Sequence, residues 1–301
     1  MANSLHAHAD PPMNENLGRN SPENDVLVAG ATSLIGRFLL SRARAAGLRS
    51  LALSRRGGEV RADLTQGQAL AEVLPPIRRM TSLAPIWLLP AALPVLADKG
   101  LERLVAFSST SRFTKAASPV PEERAVADKL AKAEDEVITF CTQRGIAWTL
   151  LRPTLIYAEG EDQNVSRLAR LIRRFGVLPL SGDGQGRRQP VHADDLAAAA
   201  LAALETPAAF NRAYDLPGGE TLTYKEMCQR IFEALGRSPR ILSAPPAVWS
   251  AAFALAKPLL PGATAAMGAR MAEDLVFDAE PAKRDFGYAP RDFRPKFPPF
   301  P

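Results

Sequence analysis

The chain has 301 residues, 47% of them hydrophobic, enough to bury the core of one large domain or of a domain with an intimate second lobe. Its 37 Lys and Arg against 32 Asp and Glu give a formal charge of +5, but the basic residues are scattered. With no basic stripe interleaved with aromatics, nucleic-acid binding is not expected. Three histidines, and two cysteines (Cys141 and Cys228) without a CxxC pair, argue against a disulfide framework and against any metal site; a reducing, cytoplasmic compartment is expected.

Residues 1–24, rich in Asn, Pro and charge, lack the apolar run of a secretory signal and read as a disordered tail. Val26–Ala29 is an apolar strand that breaks at Gly30. A helix follows from about Leu34 to Ala46, and SLALS (50–54) is the second strand. A helix over GQALAEVL (67–74) leads to the strand-like run PIWLLP (85–90). PVLADKG (94–100) is short and helical, and RLVAFSS (103–109) is strand again. A long helix from about Pro121 to Gln143, closed by Gly145, precedes the strand AWTLLRP (147–153). Strands that are apolar throughout, alternating with helices, predict an α/β fold, a Rossmann-type doubly wound parallel sheet covered on both faces.

The later part changes character. A glycine-rich loop and a short strand lead into an alanine-rich helix that Asp194 or Asp195 is placed to cap. The strand AYDLPG (213–218) and a helix from about Thr223 to Leu235 follow. The apolar stretch 247–261 is interrupted by Lys257 and Pro258 and is too short to span a bilayer, so no transmembrane segment is expected. No linker separates independent domains. The expected organisation is a dinucleotide-binding domain over 25–160, to which 187–217 returns, and a small C-terminal substrate lobe from 161–186 and 218–301.

The stretch VLVAGATSLIGRFLL (26–40) is a strand, a tight turn and a helix start, the geometry that holds a phosphate. Gly30 permits the turn and Gly36 the close packing of the helix, while Ser33 stands where a middle glycine is expected. Arg55 and Arg56 follow the second strand, where an NAD-specific site has an acidic residue. A guanidinium there pairs with the 2′-phosphate of NADP(H). The expected cofactor is therefore NADP(H), with NAD(H) as the alternative.

With these pieces the chain resembles the extended short-chain dehydrogenase/reductase superfamily, the epimerase/dehydratase-like group. AGATSLIG resembles its TGxxGxxG loop with serine for the central glycine. ADL (62–64), FSST (107–110), LLRPTLIYAEG (150–160), GDGQGRRQPVHADDLA (182–197) and AYDLPGGETLTYKEM (213–227) match its later segments in order. The resemblance implies cofactor contacts from Gly30, Thr32, Ser33, Leu34, Ile35 and Gly36, from Asp63 and Leu64 beside the adenine, and from Pro153. It implies a small-molecule substrate, and oxidoreductase or epimerase-type chemistry on a nucleotide-linked sugar or a similar polar metabolite. The alternative is a non-catalytic nucleotide-binding sensor or scaffold; under either reading the chain is expected to be a monomer or homodimer.

The catalytic centre departs from that group. Its general acid/base is a Tyr four residues before a Lys, and no tyrosine precedes LLRP in the long helix. Lys132, with Asp128 four residues before it, and Lys129, with Ala125, compete for the lysine that holds the nicotinamide ribose; the spacing to Arg152 favours Lys132. Thr110 retains the hydroxyl that positions the substrate oxygen, and Tyr157 is a candidate phenol from another direction. Asp162 and Asn164 are candidate cleft residues. Arg188 is either a diphosphate contact or a surface residue, and His192 is expected to be a core or capping histidine.

Overall fold

The computed structural model describes residues 26–245, 248–249, 268 and 270–297. The tail 1–24 and most of the apolar stretch 247–261 lie outside the described residues. In chain order the strands are β1 (Val26–Ala29), β2 (Ser50–Ser54), β3 (Val60–Arg61), β4 (Arg79–Ser82), β5 (Arg103–Phe107) and β6 (Ala147–Pro153). The short β7 (Ile156–Tyr157), β8 (Leu178–Ser181), β9 (Arg187–Arg188) and β10 (Val191–His192) come next, and then β11 (Arg212–Leu216). The helices are α1 (Leu34–Ala45), α2 (Gly67–Val73), α3 (Leu89–Asp98), the one-turn α4 (Ser111–Thr114), α5 (Pro121–Arg144), α6 (Val165–Phe175), α7 (Ala193–Glu205) and α8 (Tyr224–Ala234).

β1 to β6 and β11 form a seven-stranded parallel sheet in the order β11-β6-β5-β4-β1-β2-β3. Alternation along β1 shows how both faces are covered. Val26 and Val28 pack with Ile35 and Leu39 of α1 and Leu196 of α7, whereas Leu27 and Ala29 pack with Leu70 of α2, Leu93 of α3 and Val137 of α5. The expected doubly wound sheet is present. Its order reverses between β1 and β4, which leaves a crevice at their carboxyl ends.

The strand expected over 85–90 lies earlier, at Arg79–Ser82, where it pairs with β1 in register Ala29 to Ser82. Pro85 and Pro90 bracket the apolar run, and a proline cannot donate to an interior ladder. Ile86–Leu88 is instead a single 3₁₀ turn.

A second core lies away from the sheet, where Val165, Ala169 and Ile172 of α6, Leu178 and Leu180 of β8, and Ile231 and Phe232 of α8 pack together. The helix Glu280–Phe286 and Tyr288, within the range assigned to this lobe, pack instead on the sheet beside Tyr214 and Leu216. α7 is capped by His192, whose Nδ1 accepts the Asp194 amide at 3.0 Å, rather than by either aspartate. Among the described residues no helix is long and apolar enough to cross a membrane.

Candidate functional site

The crevice is built around Gly30, which leaves β1 at φ +74°. A Cβ there would lie 2.8 Å from the Ala84 amide nitrogen, so the loop after β4 presses directly on the turn. At Gly36 a Cβ would fall 2.4 Å from the Ala31 carbonyl oxygen, so only glycine lets α1 start this close to the turn. Ser33 is the N-cap of α1, and its Oγ accepts the Gly36 amide at 3.1 Å. The amides of Leu34 and Ile35 have no acceptor among the described residues. They sit at the positive end of a twelve-residue helix beside the exposed Thr32, an arrangement that suits a pyrophosphate. Ser82 at the end of β4 is buried, and its hydroxyl has no partner among the described residues.

Beyond β2, Ser54 Oγ accepts the Gly57 amide at 3.0 Å and shapes a turn on which Arg55 and Arg56 are exposed. Asp63 Oδ1 accepts from the amide and hydroxyl of Thr65 at 2.9 and 2.8 Å, and these bonds hold its carboxyl below the usual range. Leu64, next to it, is buried in the core. The loop, the arginines and Asp63 thus lie along the carboxyl ends of β1, β2 and β3.

On the other side of the crevice, Thr110 donates through Oγ1 to the Pro153 carbonyl at 3.0 Å, while Ser109 Oγ accepts the Ser111 amide at 3.1 Å. Both line a cavity of about 780 Å³ that runs from the ends of β5 and β6 beneath α6 and β8. Because Thr110 spends its proton on Pro153, Ser109 is the neighbouring hydroxyl with a proton left to offer.

Several expected residues are placed elsewhere. Lys132 lies on the solvent face of α5, its ammonium 3.9 Å from Glu136. Lys129 faces the turn after β4, its ammonium 4.6 Å from the centre of the Trp87 ring, so it is the lysine on the crevice side. Tyr157 is buried in the lobe core, edge-on to His192 and Phe293, outside the cavity lining. Burial pushes its phenol well above the ordinary value. Asp162 is buried and accepts the amides of Asn164 at 2.7 Å and Ser166 at 3.2 Å, fixing the turn into α6. Asn164 lines the cavity while its Nδ2 donates to the Ile156 carbonyl at 3.0 Å. Arg188 lines it too; it is buried rather than on the surface, and its guanidinium donates to the carbonyls of Arg187, Arg270 and Glu273. His192 caps α7, as expected, and its Nε2 lies 3.1 Å from Glu159 Oε2.

Sequence reading missed Glu134. It is fully buried on α5 and takes hydrogen bonds from Ser108 Oγ at 2.5 Å, from Arg152 Nη2 at 2.6 Å and from Arg112. Burial alone would raise its pKa; the bonds from Arg152 and Ser108 and the charges of Arg152 and Arg112 outweigh this and hold it low. The cluster fixes the ends of β5 and β6 beneath Ser109 and Thr110. Its signal was a carboxylate within the apolar stripe Leu130, Ala133, Val137 and Cys141.

The model of the NAD dependent epimerase/dehydratase family matches residues 91–216. A 2-alkyl-3-oxoalkanoate reductase of Stenotrophomonas maltophilia is 30% identical over 220 residues, covering 64% of this chain and 65% of that protein. The mitochondrial NADH dehydrogenase (ubiquinone) 1 alpha subcomplex subunit 9 of Arabidopsis thaliana is 29% identical over 116 residues, which are 38% of this chain and 28% of the subunit. The chain thus spans less than two thirds of the length of these relatives. Among solved structures, RMD from Pseudomonas aeruginosa complexed with NADPH has a TM-score of 0.65 at 17% identity, over 89% of this chain and 94% of that one. Residues 91–216 thus match the NAD-dependent epimerase/dehydratase family, and the Rossmann-type sheet agrees with the fold of this structural neighbour.

Proposed function

We propose that this chain binds a nicotinamide dinucleotide, NADP(H) in preference to NAD(H), across the crevice and uses it for oxidoreductase-type chemistry. The observation that carries this reading is the pairing of unmatched groups with empty space: the unpartnered Leu34 and Ile35 amides on one side, and Ser109 and Thr110 at the mouth of a cavity on the other. The residues present fit such a cofactor. The α1 amides would hold its pyrophosphate, Arg55 a 2′-phosphate, Asp63 through its free oxygen the adenine, and Lys129 the ribose next to the nicotinamide. When bound, the nicotinamide exchanges a hydride with a substrate carbon. Ser109 would donate a hydrogen bond to the oxygen on that carbon, while Thr110 and the Glu134 cluster hold Ser109 in place.

The named reductase among the relatives, and the NADPH and NAD complexes among the structural neighbours, support a redox role. The nucleotide-linked sugar expected from the resemblance would meet hydroxyl and amide groups of Ser111, Thr114, Gln163 and Gln189 in the cavity wall, but no carboxylate among the described residues. A second reading is a dinucleotide-binding subunit without turnover. It is favoured by Ala125 and Asp128 at the positions where a proton-donating tyrosine would stand, and by the likeness to a respiratory subunit.

Titration of the purified protein with NADPH and with NADH, followed by NADPH consumption across a panel of ketones, tests both. Tighter binding of NADPH with turnover supports the enzyme. Binding without turnover moves the conclusion to the second reading, and no binding of either dinucleotide overturns both.

A further inference from the structure

We infer that the 780 Å³ cavity is a binding site for an aliphatic carboxylate, with Arg167 holding the carboxylate; that this ligand is also the substrate rests on the dinucleotide reading. Its volume lies within the roughly 300–1,000 Å³ of ordinary ligand sites. Much of its wall is hydrocarbon, from Leu155, Leu168, Leu171, Leu178, Met227 and Met271, and the rest is polar. Methionine and leucine walls fit a flexible alkyl chain.

The charges in the wall are all of one sign. Lys115, Arg167, Arg174, Arg188 and Arg270 line the cavity, and no Asp or Glu does among the described residues. Most of these cations are already engaged. Arg188 serves backbone carbonyls, Arg270 pairs with Glu123 at 2.7 Å, and Arg174 lies over the Phe175 ring on the exposed side of α6. Lys115 and Arg167 are not. Arg167 is half-buried on the first turn of α6, Lys115 is half-buried after α4, and the side chain of neither has an ion pair or a hydrogen bond among the described residues. Of the two, only Arg167 offers a planar guanidinium for a bidentate contact. A guanidinium beside hydrocarbon walls, with no anion among the described residues to neutralise it, suits an anionic group on the ligand. Ser109 and Thr110 lie in the same wall, so one molecule can reach the hydroxyls and Arg167 together.

The test is isothermal titration of the full chain with octanoate, dodecanoate, dodecan-1-ol and UDP-glucose, in the wild type and in Arg167→Gln. Affinity should rise roughly three- to fourfold for each added methylene, and so about a hundredfold from octanoate to dodecanoate. Arg167→Gln should weaken dodecanoate about tenfold or more and leave dodecan-1-ol unchanged. Leu171→Trp, which fills the cavity without touching the charge, should abolish binding of both while NADPH binding persists. Affinity that is flat with chain length, an equal loss for acid and alcohol in Arg167→Gln, or tighter binding of UDP-glucose than of dodecanoate would each overturn the inference. NADPH titrated separately keeps the two readings apart: dodecanoate binding without NADPH binding removes the dinucleotide reading and leaves this one standing.

Discussion

Ser33 Oγ accepts the amide of Gly36 at 3.1 Å, so the residue that replaces the loop's central glycine caps the very helix that would face a pyrophosphate. The serine uses one first-turn amide and leaves those of Leu34 and Ile35. Ser33→Gly removes the cap at a cost of a few tenths of a kcal/mol and releases the Gly36 amide, so dinucleotide affinity should hold or improve. Gly30→Val should abolish binding, because it sets a β-branched side chain at φ +74° against the Ala84 backbone. Fluorescence titration of both variants checks this. Unchanged binding in Gly30→Val would remove the loop from the site.

Arg55 is exposed at the end of β2, on a turn closed by Ser54 and Gly57. A charge-assisted hydrogen bond contributes roughly 1.5–3 kcal/mol. Arg55→Ala should therefore weaken NADPH by about one to two orders of magnitude and barely change NADH. Equal losses for the two would show that the guanidinium does not meet the 2′-phosphate.

The sheet was legible because its strands are apolar throughout and its helices carry recognisable ends: Gly145 closes α5 at φ +69°, and Thr223 with Glu226 forms a capping box on α8. Strand β4 was not. Its sequence, RMTS, is polar at positions that only the surrounding sheet makes buried, and the more apolar run nearby drew the assignment. The tight turn at Gly30 and the start of α1 were legible because that geometry is local in sequence. The catalytic side was harder, since it depends on how a helix rotates against the sheet. Spacing to Arg152 pointed to Lys132, yet the buried stripe of α5 turns Lys132 to solvent and Lys129 toward Trp87. Tyr157 failed for a similar reason: its position at a strand end says nothing about which core its ring enters.

That rotation gives a test of the missing proton donor. Ala125 is exposed and lies four residues before Lys129, so Ala125→Tyr rebuilds the Tyr-x-x-x-Lys pair on the crevice side of α5. If the site has lost only its general acid, NADPH-dependent ketone reduction should rise, with an upper limit of about 10²–10⁴. Asp128→Tyr builds the same spacing around Lys132 on the solvent face and should leave the rate unchanged. A gain from Asp128→Tyr and none from Ala125→Tyr would reverse the choice of lysine.

Asp194 links three parts of the chain, and its charge makes the link depend on pH. Its carboxylate accepts from Arg42 Nε at 2.5 Å and Nη2 at 2.8 Å on α1, and from Arg291 Nη2 at 2.7 Å near the C-terminal end. The hydrogen bonds from Arg42 act most strongly; with Arg291 they outweigh partial burial and hold the carboxyl below its usual range. A carboxylate whose folded pKa lies below its unfolded value, about 3.9, stabilises the fold fully above that value. The contribution is lost as the pH falls through the lower, folded pKa. Asp194→Asn should therefore cost about 1.5 kcal/mol at neutral pH, the lower end of the roughly 1.5–3 kcal/mol range for hydrogen bonds to a charged group, because both arginines are partly exposed. The gap from the wild type should stay constant down to about pH 4 and close below it. Urea midpoints of both proteins between neutral pH and pH 3 measure that gap. A gap that persisted at the acid end would mean that the asparagine costs stability through packing, and that the Arg42–Asp194–Arg291 charges contribute nothing to holding α1, α7 and the C-terminal segment together.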